Sequence, residues 1–181
     1  MKHYCPKCGS ILDSLQKCTN LTCDYQLFGT NTIDISYKAK GIAKALSNLA
    51  PYPFTFDDVL CSSMESFIQS LKVQDINVQK DICAKSGLFC NSIKDMFGDW
   101  RENQIVFWKG KAIKRDSEGY IELIQNAYDF LYIQSPLFRF ALRSSKGYNL
   151  IHSIGLQDKT QTLLTEEEFI SILDNLRDKI L

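Results

Sequence analysis

From Ser62 onward the apolar residues fall at helical spacing, with Met64, Phe67, Ile68 and Leu71 forming one stripe. That stripe predicts a helix over Ser63 to Val73. Ahead of it, Ile33, Ile35 and Tyr37 alternate, which predicts a short strand, and Phe54 to Cys61 predicts a hairpin turning at Asp57–Asp58. Tyr120 to Gln134 carries Ile121, Ile124, Tyr128 and Leu131 on one side of a further helix. Ser135–Pro136 is an N-cap followed by proline at the first helical position, opening a helix through Leu137, Phe138 and Ala141. Thr165-Glu166-Glu167-Glu168 is a capping box, and Phe169, Ile172, Leu173 and Leu176 follow it at helical spacing. Gly87 to Arg101 and Gly110 to Arg115 read as loops or short helices, and the chain has no repeat and no low-complexity tract. The fold this predicts is mostly α: a compact multi-helix domain over residues 39–181, with a few short strands and a linker with a short strand over 30–38.

Residues 1–29 follow a different logic. Cys5-x2-Cys8, nine residues, then Cys18-x4-Cys23 is ligand spacing. The Pro6 and Gly9 of the first knuckle let the backbone curl so that two thiolates converge on one ion. Zn2+ takes a closed tetrahedron of such sulfurs at about 2.3 Å, and a segment this short has little core without it. The expectation is a structural zinc ribbon with ligands Cys5, Cys8, Cys18 and Cys23. Four thiolates leave no open coordination position, so the ribbon does no chemistry and serves stability or the docking of a protein or nucleic-acid partner. Free thiols, or a redox pair at Cys5 and Cys8, are the alternative reading. Cys61, Cys83 and Cys90 stand singly in apolar or helical contexts and read as buried inert thiols.

Composition narrows the class. The 181 residues are 45% hydrophobic and 23% charged, an ordinary globular balance. Lysine and arginine equal aspartate and glutamate at 21 each, which argues against bulk electrostatic capture of nucleic acid but leaves recognition of one nucleotide open. No apolar run approaches the roughly 20 residues that span a bilayer, and the first residues do not read as a signal peptide. A cytoplasmic protein without a membrane partner is expected, where seven cysteines suit metal and free thiols better than disulfides.

Candidate chemistry concentrates on the Ser63–Val73 helix. Glu65, Gln69 and Lys72 fall on the face opposite the apolar stripe, and positions seven apart return to nearly the same azimuth. Alone, such a line is more often a solvated face than a pocket wall. The preceding Leu46-Ser-Asn48-Leu-Ala-Pro-Tyr-Pro-Phe54 loop is dense in turn formers and aromatics. A second polar-aromatic stretch, from Trp100 through Trp108 to Arg115–Asp116, offers stacking walls and cations. His152, in Leu-Ile-His-Ser-Ile, reads as a hydrogen-bonded core histidine.

Two segments together, Ala45-Leu-Ser-Asn-Leu-Ala-Pro-Tyr-Pro-Phe54 and Ser62-Ser-Met-Glu-Ser-Phe-Ile-Gln-Ser-Leu-Lys72, resemble the paired signature of the NADAR superfamily. Leu150-Ile-His-Ser-Ile-Gly155 and Thr162 to Phe169 are similar to C-terminal segments of some members, so the resemblance runs from about Ile33 to Arg177. It implies a compact helical fold and an N-glycosidase acting on ribosyl or ADP-ribosyl bases or nucleotide-derived compounds. Members include the riboflavin-biosynthesis-intermediate glycosidases and enzymes that remove ADP-ribose from nucleobases. Glu65 and Lys72 match the acidic and basic positions, and Asn48 matches the loop asparagine. Where the family has a histidine after the glutamate this chain has Ser66, and its loop phenylalanine is Leu49 here.

The chemistry suits those residue types. Breaking a C–N bond at an anomeric carbon develops positive charge on the sugar and negative charge on the leaving base. A carboxylate such as Glu65 stabilises the first or exchanges protons with the second. A neutral Lys72 amine can instead attack the anomeric carbon and hold the opened sugar as an imine. Gln69, Trp100, Trp108, Arg115 and Asp116 are the candidate substrate contacts, with Trp100 or Trp108 stacking the base and Arg115–Asp116 either gripping a ribose or phosphate or, equally, forming a helix-start pair before Tyr120. The rival reading is a non-catalytic nucleotide- or ADP-ribose-binding module with a zinc ribbon for partner docking, motivated by the absent histidine. A zinc-ribbon nucleic-acid binder is disfavoured by the neutral charge.

Overall fold

The computed structural model describes residues 32–93 and 100–179, with 10, 11, 20 and 96 besides. Cys5, Cys8, Cys18 and Cys23, and with them the expected zinc ribbon, lie outside the described residues. In chain order the elements are β1 (Thr32–Asp34), α1 (Gly41–Ala45), β2 (Phe54–Phe56), β3 (Val59–Cys61), α2 (Met64–Ser70), α3 (Ile76–Ala84) and α4 (Gly87–Ser92). There follow α5 (Trp100–Asn103), β4 (Ile105–Trp108), β5 (Lys111–Lys114), α6 (Glu118–Gln134), α7 (Pro136–Ser144), β6 (Asn149–Ile151) and α8 (Glu166–Asp178).

This is a mixed α/β fold, which corrects the mostly α domain predicted from the sequence: 48% of the described residues are helical and 14% lie in strands. The strands form three two-stranded pairs, β1–β6 parallel and β2–β3 and β4–β5 antiparallel. Two of the pairs escaped the pattern for identifiable reasons. In the β4–β5 hairpin, β5 occupies residues read as loop or short helix, because it is Lys-Ala-Ile-Lys and mostly exposed, with no alternation to show, and β4 stands where the sequence reading has only a polar-aromatic stretch. The hairpin's signal is the turn: Lys109 at φ 49° and Gly110 at φ 78° make the left-handed two-residue link that a right-twisted hairpin requires. In the β1–β6 pair, β1 falls in the strand expected from the Ile33 and Ile35 alternation, but its partner β6 comes from the other end of the domain, with Ile33 opposite Leu150, and its three residues carry no readable period. The β2–β3 hairpin turns at Asp57 and Asp58, both at positive φ, where the sequence placed it.

Helix starts follow their caps. Ser117 Oγ accepts from Tyr120 N–H, Ser135 Oγ from Phe138 N–H, and Thr165 with Glu168 closes the expected capping box. The long α6 buries Ile124, Tyr128 and Leu131 as predicted, with Tyr120 and Ala127 besides, while Ile121 faces solvent and Tyr120 takes its place in the stripe. Around it, α7 contributes Phe138, Ala141 and Leu142, and α8 contributes Phe169, Ile172, Leu173 and Leu176. On the other side Phe56 meets Phe67 edge-on at 5.5 Å and stacks on Trp108 at 5.6 Å. Such aromatic pairs add roughly 0.5–1.5 kcal/mol each beyond the area they bury. The two hairpins are thereby locked to α2. Cys61, Cys83 and Cys90 are buried free thiols. No helix among the described residues is long and apolar enough to cross a membrane.

Candidate functional site

A cavity of about 500 Å3 opens between α2 with the loop before it, the start of α5, and the wall formed by β6 and the chain leading into α8. Its size suits a nucleoside-sized ligand. Of the residues singled out in the sequence, Asn48, Glu65, Gln69, Lys72 and Trp100 line it together. Trp108, Arg115 and Asp116 do not.

The α2 wall is built by its ends. Ser63 and Ser66 form a reciprocal capping box: Ser63 Oγ accepts from Ser66 N–H at 3.1 Å, and Ser66 Oγ accepts from Ser63 N–H at 3.1 Å. Ser66 also donates to the Ser63 carbonyl at 2.8 Å, so this fully buried hydroxyl is spent on the helix start. At the other end the helix tightens. Leu71, Lys72 and Val73 N–H groups donate to carbonyls three residues back, at 3.3, 3.3 and 3.2 Å. This 3-10 turn eclipses residues three apart, which keeps Lys72 over Gln69 on the cavity side. The closing carbonyls are taken by Gln79, whose Nε2 donates to Val73 O at 2.7 Å, and by Phe107, whose N–H donates to Leu71 O at 2.7 Å.

Along this wall Gln69 Nε2 donates to Glu65 Oε1 at 2.8 Å, an i,i+4 contact that aims the carboxylate. Gln69 is only 7% exposed and Trp100 4%, and among the described residues neither Gln69 Oε1 nor Trp100 Nε1 has a partner. Buried polar atoms without partners are costly, and these two, one acceptor and one donor, belong to residues that line the same cavity. Lys72 is likewise 7% exposed, so its stem is enclosed by the wall.

Asn48 is fixed from behind. The buried Tyr128 hydroxyl donates to its Oδ1 at 2.5 Å, and its backbone carbonyl accepts from Glu65 N–H at 2.9 Å. Burial, and the Glu65 carboxylate in the same direction, hold the Tyr128 phenol well above the ordinary tyrosine range, against the pull of Asn48. Tyr128 therefore remains a donor at any working pH. Burial and then Glu65 also push the Cys90 thiol up to about 11, so Cys90 is no nucleophile at neutral pH. Gly87, at the start of α4, presses on this corner. A Cβ there would lie 2.6 Å from Ser63 Oγ and 3.0 Å from Glu65 Cβ.

The opposite wall holds His152, which the sequence reading assigned to the core. It is hydrogen-bonded, as expected, through Nδ1 to the Ile35 carbonyl at 2.6 Å, yet its ring borders the cavity. Only the β1–β6 pairing brings it there. Beside it run Gln161 to Leu164, pinned by Arg115 Nε on the Thr162 carbonyl at 3.1 Å and by Tyr120 OH on the Leu163 carbonyl.

Arg115 lies behind that wall, fully buried, in a two-pronged pair with Glu168 at 3.1 and 2.6 Å and over the Tyr120 ring at 4.5 Å. Its neighbour Asp116 is exposed to solvent. Trp108 is core: its Nε1 donates to Asp57 Oδ2 at 2.8 Å. No group of three or more His, Cys, Asp or Glu among the described residues is placed to hold a metal ion.

The fold is similar to that of the E. coli protein YbiA, solved by NMR, with a TM-score of 0.54 over 83% of this chain and 86% of that one, at 15% identity. That likeness is one of fold alone. In sequence, the chain is 40% identical over 138 residues to an uncharacterized 17.1 kDa protein in the Gp30-rIII intergenic region of enterobacteria phage T4. The match takes in 75% of this chain and 90% of the phage protein. The model of the family described as bacteriophage protein GP30.3 matches residues 40–178, beginning beyond the four N-terminal cysteines, and the chain therefore belongs to that family.

Proposed function

We propose that the protein is an N-glycosidase that hydrolyses the bond between a ribosyl or ADP-ribosyl carbon and a nucleobase or nucleotide-derived base. The observation that carries this reading is that Glu65, a carboxylate, and Lys72, an enclosed amine, line one cavity together with Asn48, Gln69 and Trp100. In this reading Glu65 supports the cationic sugar and exchanges the proton of the leaving base. Lys72 attacks the anomeric carbon or holds the substrate, while Asn48, Gln69 and Trp100 orient the two halves of it. The absent family histidine does not argue for a module without turnover, because Ser66 caps α2 and does not line the cavity.

The test is release of free base from ADP-ribosylated guanosine and from phosphorylated pyrimidine intermediates of riboflavin synthesis. Glu65→Gln is expected to lower kcat about 10²–10⁴-fold. Borohydride should trap a sugar adduct on Lys72 if the amine attacks. No release from either compound class by the wild-type protein refutes the reading.

The N-terminal cysteines complete the proposal. Cys5, Cys8, Cys18 and Cys23 bind one Zn2+ as a structural ribbon, in a chain that works in the reducing cytoplasm, and the ribbon positions the enzyme on a protein or nucleic-acid partner. Metal analysis is expected to find close to one zinc per chain, lost on replacing Cys5 and Cys8 by serine. A metal-free wild-type protein would end that claim.

A further inference from the structure

His152 enters none of the chemistry assigned above, although its environment is built for more than packing. Nδ1 lies 2.6 Å from the Ile35 carbonyl oxygen. A carbonyl only accepts, so Nδ1 carries the hydrogen and the neutral ring keeps its lone pair on Nε2. Nε2 has no protein partner among the described residues and is not sealed from solvent. The backbone around it is fastened on three sides. His152 N–H donates to Glu166 Oε1 at 2.9 Å, Gly155 N–H donates to the His152 carbonyl at 2.7 Å, and Ser153 N–H donates to Asp34 Oδ1 at 3.0 Å. The ring stands edge-on to Phe169 at 5.4 Å. Gly155 approaches so closely that a Cβ there would meet His152 Cδ2 at 2.8 Å. Turning the ring over would forfeit the Ile35 hydrogen bond, so one tautomer and one orientation are held.

His152 also shares the cavity lining with Glu65. From His152 the wall runs through Phe169 to Tyr128, ring to ring at 6.4 Å, then through the Tyr128 hydroxyl to Asn48, whose carbonyl holds Glu65 N–H. Both ends of this chain, His152 and Glu65, line the cavity. A histidine kept only for structure needs the Nδ1 bond. It has no use for an open, oriented Nε2 on a residue that lines a ligand-sized space together with a carboxylate.

We infer that His152 is the second acid–base residue of this cavity, an assignment that rests on the glycosidase reading. The C–N bond breaks with its electron pair leaving on the base nitrogen, which takes a proton from the Glu65 carboxyl. Water oxygen bonds to the carbon that held the base, directly or after a Lys72 imine, and its surplus proton passes to Nε2. The imidazolium then returns that proton through solvent to Glu65, and the site is reset.

Two variants and a chemical probe test this. Asparagine at 152 can place its amide N–H on the Ile35 carbonyl but offers nothing at the Nε2 position. His152→Asn is therefore expected to melt as the wild type does while kcat falls about 10²-fold. In His152→Ala, added imidazole is expected to restore part of the lost rate. Diethyl pyrocarbonate is expected to modify Nε2 of His152 in the folded wild-type protein, whatever the variants do. Turnover by His152→Asn at the wild-type rate, or a His152 that resists the reagent, overturns the inference alone. A wild-type protein that releases base from neither compound class defeats the glycosidase reading and this assignment together.

Discussion

Replacing Glu168 by glutamine tests how the C-terminal wall of the cavity is held. Glu168 Oε2 accepts from Arg115 Nη2 at 2.6 Å and from Thr165 N–H at 2.8 Å, and Oε1 accepts from Arg115 Nη1 at 3.1 Å. Glutamine keeps the size and one acceptor, but it leaves the guanidinium, 1% exposed, without a countercharge. Removing one member of a buried pair costs about 3–5 kcal/mol. The Glu168 side chain is 19% exposed, which places the loss near the low end, about 3 kcal/mol. Lys159, at 3.8 Å and well exposed, compensates little. For a chain of this size, about 2–4 °C per kcal/mol gives a fall in Tm of roughly 6–12 °C by calorimetry.

The pH dependence supplies a second reading of the same loss. Burial by itself would push the Glu168 carboxyl up, but the Arg115 and Thr165 hydrogen bonds with the Arg115 charge outweigh it and hold the group below the usual value of 4.5. A carboxyl depressed in the folded state stabilises above its unfolded pKa and loses that contribution as the pH falls through the folded one. The gap between wild type and Glu168→Gln should thus be full above pH 4.5 and close progressively in more acid solution. A cycle with Arg115→Met should return a coupling of about 2 kcal/mol, since the two groups form one interaction. A Tm within about 2 °C of wild type, or a gap that does not change in acid, refutes the reasoning.

Three further outcomes follow from the cavity's supports. Tyr128→Phe strips Asn48 Oδ1 of its donor and should cost about 1–3 kcal/mol in chemical denaturation while raising KM, because Asn48 loses its orientation. Ser66→Ala removes one arm of the α2 capping box and should cost about 1 kcal/mol, with kcat unchanged because the hydroxyl does not line the cavity; a large loss of kcat would count against the capping role. Gly87→Ala should destabilise by about 1–3 kcal/mol and lower kcat, since the added methyl displaces the Ser63 cap and Glu65 Cβ together; wild-type kinetics would show that this corner yields freely.

How much of this was legible depends on whether the signal was local. The Asp57–Asp58 hairpin, the Ser135–Pro136 start and the Thr165 capping box each sit within a few residues, and each stands where the sequence placed it. The polar line of Glu65, Gln69 and Lys72 was visible as a helix face; that a cavity rather than bulk solvent covers it is a tertiary fact. Two tryptophans were equal candidates, and only the packing of Trp108 against Phe56 and its bond to Asp57 separate it from Trp100. Arg115, a candidate substrate contact in the sequence, is instead paired with Glu168 behind the cavity wall. An arginine 53 positions before the N3 glutamate of a capping box has no sequence marker of its partner. His152 was hidden for the same reason, since its place on the cavity that Glu65 also lines is set by a three-residue parallel pair whose strands come from the two ends of the domain.

The end of α2 bears directly on how one acid and one amine share the cavity. A plain α-helix would set Cα atoms seven residues apart by about 10.5 Å, nearly in line. Here the last three steps are 3-10 and advance about 2 Å each, so Glu65 and Lys72 are spaced by roughly 12 Å along the axis. Gln69 lies between them in the same line and holds one Glu65 oxygen at 2.8 Å. Two long side chains rooted that far apart meet a bound sugar from its two ends, one approaching the leaving base and the other the ring carbon. A continuous α-helix would bring their roots closer and rotate Lys72 away from Gln69. The Gln79 and Phe107 contacts that close the helix early are therefore part of the site's geometry, although neither residue lines the cavity.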